Sequence, residues 1–153
     1  MTDEKVITGG CQCGAVRYAI DGPFNNPHIC HCRMCQKAFG NYFAALVGVQ
    51  REILHWTRGH PAHFRSSEVV QRGFCRQCGT PLTFAYDHSK HIAVSIGSLD
   101  RPEIVTPEQQ YPAIGIAQQR ADPGAVERDV GWLEPMDRIG SQFPRLVIAT
   151  DAA

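Results

Sequence analysis

The sequence predicts a small, mainly β domain of stacked short antiparallel sheets with little helix. Three observations predict it. Turn punctuation is dense, at Gly9-Gly10, Gly22-Pro23, Gly40, Gly59 ahead of Pro61, Gly79, Gly97 and Pro102. The runs between these marks are short, rich in β-branched and aromatic residues, and not separated by long helical periods. Seven cysteines fall in three tight clusters, a ligand pattern that can staple a small fold. The length of 153 residues is that of one domain, and 43% hydrophobic with 20% charged residues is ordinary globular composition.

The elements follow in order. Residues 15–20 place Val16, Tyr18 and Ile20 on one face of a strand, because side chains alternate across the pleat. Arg33–Phe39 is the one helical piece, closed by Gly40 as a left-handed cap. Residues 42–49 and 91–96 are near-continuous apolar runs and read as more fully buried strands. Residues 80–86 alternate Leu82, Phe84 and Tyr86. The domain proper is expected over residues 1–111. Residues 112–153, broken by Pro112, Pro123, Gly124, Gly131, Pro135 and Pro144, are expected to form an irregular segment of the same domain, with a last strand over 143–148.

Charge and hydropathy exclude several roles. Fifteen basic and fifteen acidic residues cancel, leaving no electrostatic surplus for nucleic acid or an anionic membrane as main partner. Residues 42–49, the longest apolar run, are far short of a membrane span. The N-terminus carries neither a basic nor an apolar leader region, so the expectation is the reducing cytoplasm. Disulfides are disfavoured there and thiolate–metal sites favoured, and an odd number of cysteines does not close a disulfide framework.

The clusters are Cys11-Gln12-Cys13, Cys30-His31-Cys32-Arg33-Met34-Cys35 and Cys75-Arg76-Gln77-Cys78. In Cys75-x-x-Cys78 the chain can turn both sulfurs toward one ion, and Gly79 eases the positive φ that follows. Extended backbone sets Cys11 and Cys13 on one face. Two such pairs sum to the four ligands of a closed tetrahedral site, and zinc suits four thiolates best. Cys30, Cys32 and Cys35 then form a second set of three, with its fourth position open. The competing division joins the middle three to one outer cysteine and strands three elsewhere. A thioredoxin-like redox pair fits poorly, since Gly79-Thr80-Pro81 does not open a helix. His31 lies between two of these cysteines, on the opposite face of an extended chain. His28 and His31 are proton-shuttle candidates by proximity, and the other five histidines read as surface or strand residues. Trp56 and Trp132 read as core or rim aromatics.

These motifs resemble those of the glutathione-dependent formaldehyde-activating enzyme family. The resemblance rests on Gly10-Cys11-Gln12-Cys13-Gly14, on Cys30 through Gln36-Lys37, and on Gly73-Phe74-Cys75-Arg76-Gln77-Cys78-Gly79-Thr80-Pro81-Leu82. Trp56-Thr57-Arg58-Gly59, Phe64-Arg65-Ser66-Ser67-Glu68 and Gly97-Ser98-Leu99-Asp100 extend it over about residues 9–111. It implies a zinc-organised β fold. It implies a structural zinc on Cys11, Cys13, Cys75 and Cys78, and a catalytic zinc on Cys30, Cys32 and Cys35. It also implies carbon–sulfur lyase chemistry joining a small thiol such as glutathione to formaldehyde. Residues 118–131 depart from the family pattern, and Trp132-Leu133-Glu134-Pro135 is a displaced echo of it. A non-enzymatic zinc-binding module and a thiol or metal carrier are the competing classes. Zinc stoichiometry separates them from an enzyme that uses a second, labile zinc.

Overall fold

The computed structural model describes residues 6–111, so the segment after Tyr111, with its expected strand and Trp132, lies outside the described residues. Among the described residues ten strands form two sheets. The smaller contains β1 (Ile7–Gly10), β2 (Arg17–Ile20) and β5 (Leu54–Arg58), in the order β1-β2-β5. The larger contains β3 (Asn25–Cys30), β4 (Ala44–Gln50), β6 (Ala62–Arg65), β7 (Val70–Phe74), β8 (Pro81–Tyr86), β9 (His91–Ser95) and β10 (Gln109–Tyr111). Its order is β10-β3-β4-β9-β8-β7-β6. All pairings are antiparallel except β10 with β3, which run parallel because the chain returns to that edge after two short 3-10 turns. The fold is mainly β as expected, with a mixed rather than wholly antiparallel large sheet.

The main core lies between the sheets. Tyr18 and Ile20 from β2 meet Val47 and Val49 of β4, Ile92 and Val94 of β9 and Ala85 of β8. Val16, Tyr18 and Ile20 are the buried face of their segment, as the alternation requires. The Tyr18 phenol is sealed at its tip. Ser98 Oγ spends its proton on the Ser95 carbonyl at 2.7 Å, so the Tyr18 hydroxyl donates to Ser98 Oγ at 2.7 Å. Asp100 ties the following loop back to the small sheet through Arg17 and the Thr8 hydroxyl, and these bonds hold its carboxyl below the usual carboxylate range.

Two local departures have physical causes. On β8 the alternation Leu82, Phe84, Tyr86 does not mark one face. A bulge leaves Leu82 without a partner between Phe74↔Pro81 and Gly73↔Thr83, which turns it into the main core while Phe84 and Tyr86 face the other way. On β3, Asn25-Asn26-Pro27 interrupts the ladder with β4. Pairing lapses between Asn25↔Gly48 and His28↔Leu46, and Asn26 takes a left-handed φ of 43° there.

The outer face of the large sheet carries a second, smaller core. Helix α1 (Arg33–Phe39) lies over it, covering Ala44 and Leu46 with Cys32, Cys35, Met34 and Phe39. Cys32 is its N-cap, its sulfur accepting from the Cys35 amide at 3.4 Å, and Gly40 closes it at φ 59°. No helix among the described residues is long and apolar enough to cross a membrane.

Candidate metal centres

The fold gathers the seven cysteines into two groups. Cys11, Cys13, Cys75 and Cys78 form one and Cys30, Cys32 and Cys35 the other, with the sulfurs of each within 4.8 Å of one another. All seven are free thiols.

The first group is made by two matching loops. The β1–β2 loop closes with Cys11 N donating to Val16 O at 2.9 Å, and the β7–β8 loop with Cys75 N donating to Thr80 O at 2.9 Å. Each carries its glycine after the second cysteine in the left-handed region, Gly14 at φ 77° and Gly79 at φ 79°. Amides then face the sulfurs: Val16 N donates to Cys11 Sγ at 3.2 Å. The Thr80 hydroxyl accepts from Gln12 N and lies 3.1 Å from Cys78 Sγ. Hydrogen bonds from the Thr80 hydroxyl and amide bring the Cys78 thiol down to about 5. Cys11 Sγ is 3.5 Å from Cys13 Sγ, which is 3.7 Å from Cys75 Sγ. A tetrahedron with metal–sulfur bonds of ~2.3 Å has sulfur–sulfur edges of ~3.8 Å, so four thiolates at this spacing fit a zinc-sized ion. A disulfide needs ~2.05 Å.

Gly79→Ala isolates the backbone cost of this loop, because an added Cβ would meet no atom within 4 Å. Without a clash, the left-handed φ alone is expected to cost about 1–2 kcal/mol. Urea unfolding of the metal-loaded variant measures it, and asparagine at the same position should cost less.

The second group sits on the outer face of the large sheet. Cys30 ends β3 and is half-buried, while Cys32 and Cys35, at the start of α1, are buried at 4% and 2% exposure. Three thiols this close cannot all ionise without a cation among them. Cys32 and Cys35, with burial, push the Cys30 thiol strongly upward. The same cluster, after burial itself, raises the nearby Tyr86 phenol to about 12. Among the described residues no fourth histidine, cysteine or carboxylate joins the group.

The histidines divide. His31 turns aside to Gln110, with Nε2 2.8 Å from Oε1. His28 and Cys30 sit at i and i+2 of β3, on one face of the sheet. His28 Nδ1 donates to Asn26 O at 2.8 Å, its ring stands edge-on to Tyr111 at 4.6 Å, and burial lowers its pKa.

Arg72 was not visible as a site residue from motif spacing, yet it reaches the second group directly. Its Nη2 donates to Cys35 Sγ at 3.4 Å. The available signal was an arginine alternating with Val70 and Phe74 along β7, a cation on an apolar face. A cavity of about 220 Å³ adjoins it, walled by Ala38 and Phe39 of α1 with Phe64, Phe74 and Pro81.

A sequence model of the family described as glutathione-dependent formaldehyde-activating enzyme matches residues 6–113. An uncharacterized lyase of Schizosaccharomyces pombe is 29% identical over 85 residues, which are 54% of this chain and 60% of the relative's own length. Among solved structures, a Rhodobacter sphaeroides protein shares the fold at TM-score 0.53 and 23% identity, over 69% of this chain and 99% of that one.

Proposed function

This chain belongs to the glutathione-dependent formaldehyde-activating enzyme family, and from that membership we propose that it is a zinc-dependent carbon–sulfur lyase. Its substrates in this reading are a small thiol, glutathione or one like it, and the aldehyde adduct of that thiol. The observation that carries the reading is the three-sulfur group of Cys30, Cys32 and Cys35, which offers an ion three ligands where a closed site has four. The lyase-named relative in Schizosaccharomyces pombe supports the reaction class.

In this reading Cys11, Cys13, Cys75 and Cys78 hold a structural zinc, and Cys30, Cys32 and Cys35 a catalytic one. Cys30, Cys32 and Cys35 would hold the ion as three thiolates, at net charge −1, and a zinc there would supply weak carbonyl polarisation and an acidifying position for a thiol. The protein's part is to hold three sulfurs in place, keep the site partly dry beneath α1, and accept the thiol's proton. His28 is the better placed of the two histidines to accept it. With Nδ1 bonded to Asn26 O, its Nε2 lone pair is free to act as a base on the face it shares with Cys30. The substrate thiolate then attacks the aldehyde carbon. A C–S bond forms, the carbonyl π pair moves to oxygen, and that oxygen takes a proton to give the hemithioacetal. The reverse sequence cleaves the C–S bond.

Calorimetry of the zinc-loaded protein in two buffers of different ionisation enthalpy tests the reading. Glutathione is expected to bind with release of a proton, and S-methylglutathione at least about tenfold more weakly, because a thioether has no proton to lose. Equal affinities would rule out thiolate ligation. Binding of neither ligand would favour a non-enzymatic metal module.

A further inference from the structure

Arg72 is 3% exposed in the middle of β7, where a guanidinium is costly without a counter-charge. Among the described residues no carboxylate supplies one. The ion pairs found among the described residues are Arg17–Asp100, Arg65–Asp87 and Arg101–Glu103, and none involves Arg72. Instead its Nε donates to Ser66 Oγ at 3.0 Å, its guanidinium lies over the Phe84 ring at 4.8 Å, and Nη2 donates to Cys35 Sγ at 3.4 Å. Nη1 is buried with no hydrogen-bond partner among the described residues. A hydroxyl and an aromatic face fix the orientation of this cation but do not neutralise it. Among the described residues, the acidic group it hydrogen-bonds is Cys35 of the three-cysteine cluster.

We propose that Arg72 is a positioning residue of the second site, the fixed counter-cation that aims Cys35 and holds a thiolate-bound metal in place. Charge balance supports the pairing. Three thiolates and a divalent ion sum to −1, and one buried guanidinium brings the assembly to zero inside a region of low dielectric. Ser66 and Phe84 hold the guanidinium plane, so the N–H···S bond sets the direction of the Cys35 sulfur before metal arrives. At the first group the sulfurs are met instead by the Val16 amide and the Thr80 hydroxyl. The inference rests on reading the second group as a metal site, and its test uses metal alone, without substrate.

The experiment titrates cobalt(II) into the full-length wild type, Arg72→Met and Arg72→Lys, against a competing chelator. It follows the equivalents bound, their affinities and the sulfur-to-cobalt charge-transfer absorption. In Arg72→Met the first equivalent should bind as in wild type and the second about 10–100-fold more weakly, the usual effect of removing a residue that orients a ligand. Arg72→Lys, which keeps the charge but loses the planar fork, should recover part of that loss. Wild-type affinity for both equivalents in Arg72→Met would overturn the proposal. Should Arg72→Met fail to fold, Arg72→Lys decides. A weakened second equivalent beside an intact first supports the proposal, whereas two wild-type equivalents, or loss of both, overturns it. A wild type that takes up only one cobalt removes the second metal site itself, a failure distinct from any failure of Arg72.

Discussion

Cys75→Ser is expected to yield unfolded or insoluble protein. Cys75 is 1% exposed at the base of the β7–β8 loop, and its sulfur lies 3.7 Å from Cys13 Sγ across 62 residues of sequence. The four-cysteine group therefore joins the large sheet to the β1–β2 hairpin of the small one, at the end of the main core. The core alone is modest, because the small sheet presents three short strands to it. Binding energy for a structural zinc is about 10–16 kcal/mol, comparable to the whole stability of about 5–15 kcal/mol of an ordinary domain. Losing one of four thiolates forfeits a large share of it and leaves three sulfurs crowded without a cation. Solubility, amide dispersion and thermal melting of the variant are the readout. A well-dispersed spectrum with an unchanged melting temperature would mean that the first group does not hold the fold together.

Cys32→Ser should behave in the opposite way: fold and first metal retained, second metal and activity lost. Cys32 is buried under α1, but serine is close to isosteric with it and fills the same space. The Cys32 sulfur also caps α1 by accepting from the Cys35 amide, and a serine hydroxyl is a preferred N-cap, so the helix keeps its start. The fold is expected to change by no more than about 1 kcal/mol, the size of a cap substitution. The metal site loses one of only three ligands, and bound metal should drop by about one equivalent. Metal analysis beside a thermal melt separates the two effects. Collapse of Cys32→Ser together with Cys75→Ser would contradict the division of labour between the groups.

The parts of this protein that were legible in sequence are those fixed by local chemistry. Arg33–Phe39 with Gly40 carries its own start and stop, and Val16, Tyr18 and Ile20 carry the period of a half-buried strand. The glycine after Cys78 announced a left-handed turn, found at Gly79, and Gly14 takes the same conformation after Cys13. The grouping of four and three cysteines was preferred by counting ligands, two pairs making a closed set and leaving the middle three, and the sulfurs cluster in that way. What could not be read depends on pairing across the sheet. Leu82 departs from the face of Phe84 because of a bulge against Gly73 and Phe74, and nothing in residues 80–86 alone encodes the partner strand. Arg72 meets Cys35 only because β7 and α1 come together on the outer face, 37 residues apart in sequence.

In the proposed function the second group leaves a coordination position for a substrate sulfur, while the first is closed. A zinc-loaded crystal soaked with glutathione, measured at the zinc absorption edge, tests it most directly. Two anomalous peaks are expected. One should be surrounded by Cys11, Cys13, Cys75 and Cys78. The other should be surrounded by Cys30, Cys32 and Cys35, with the glutathione sulfur as fourth ligand at about 2.3 Å. A fourth protein ligand on the second zinc, or glutathione bound with its sulfur away from that metal, would contradict it.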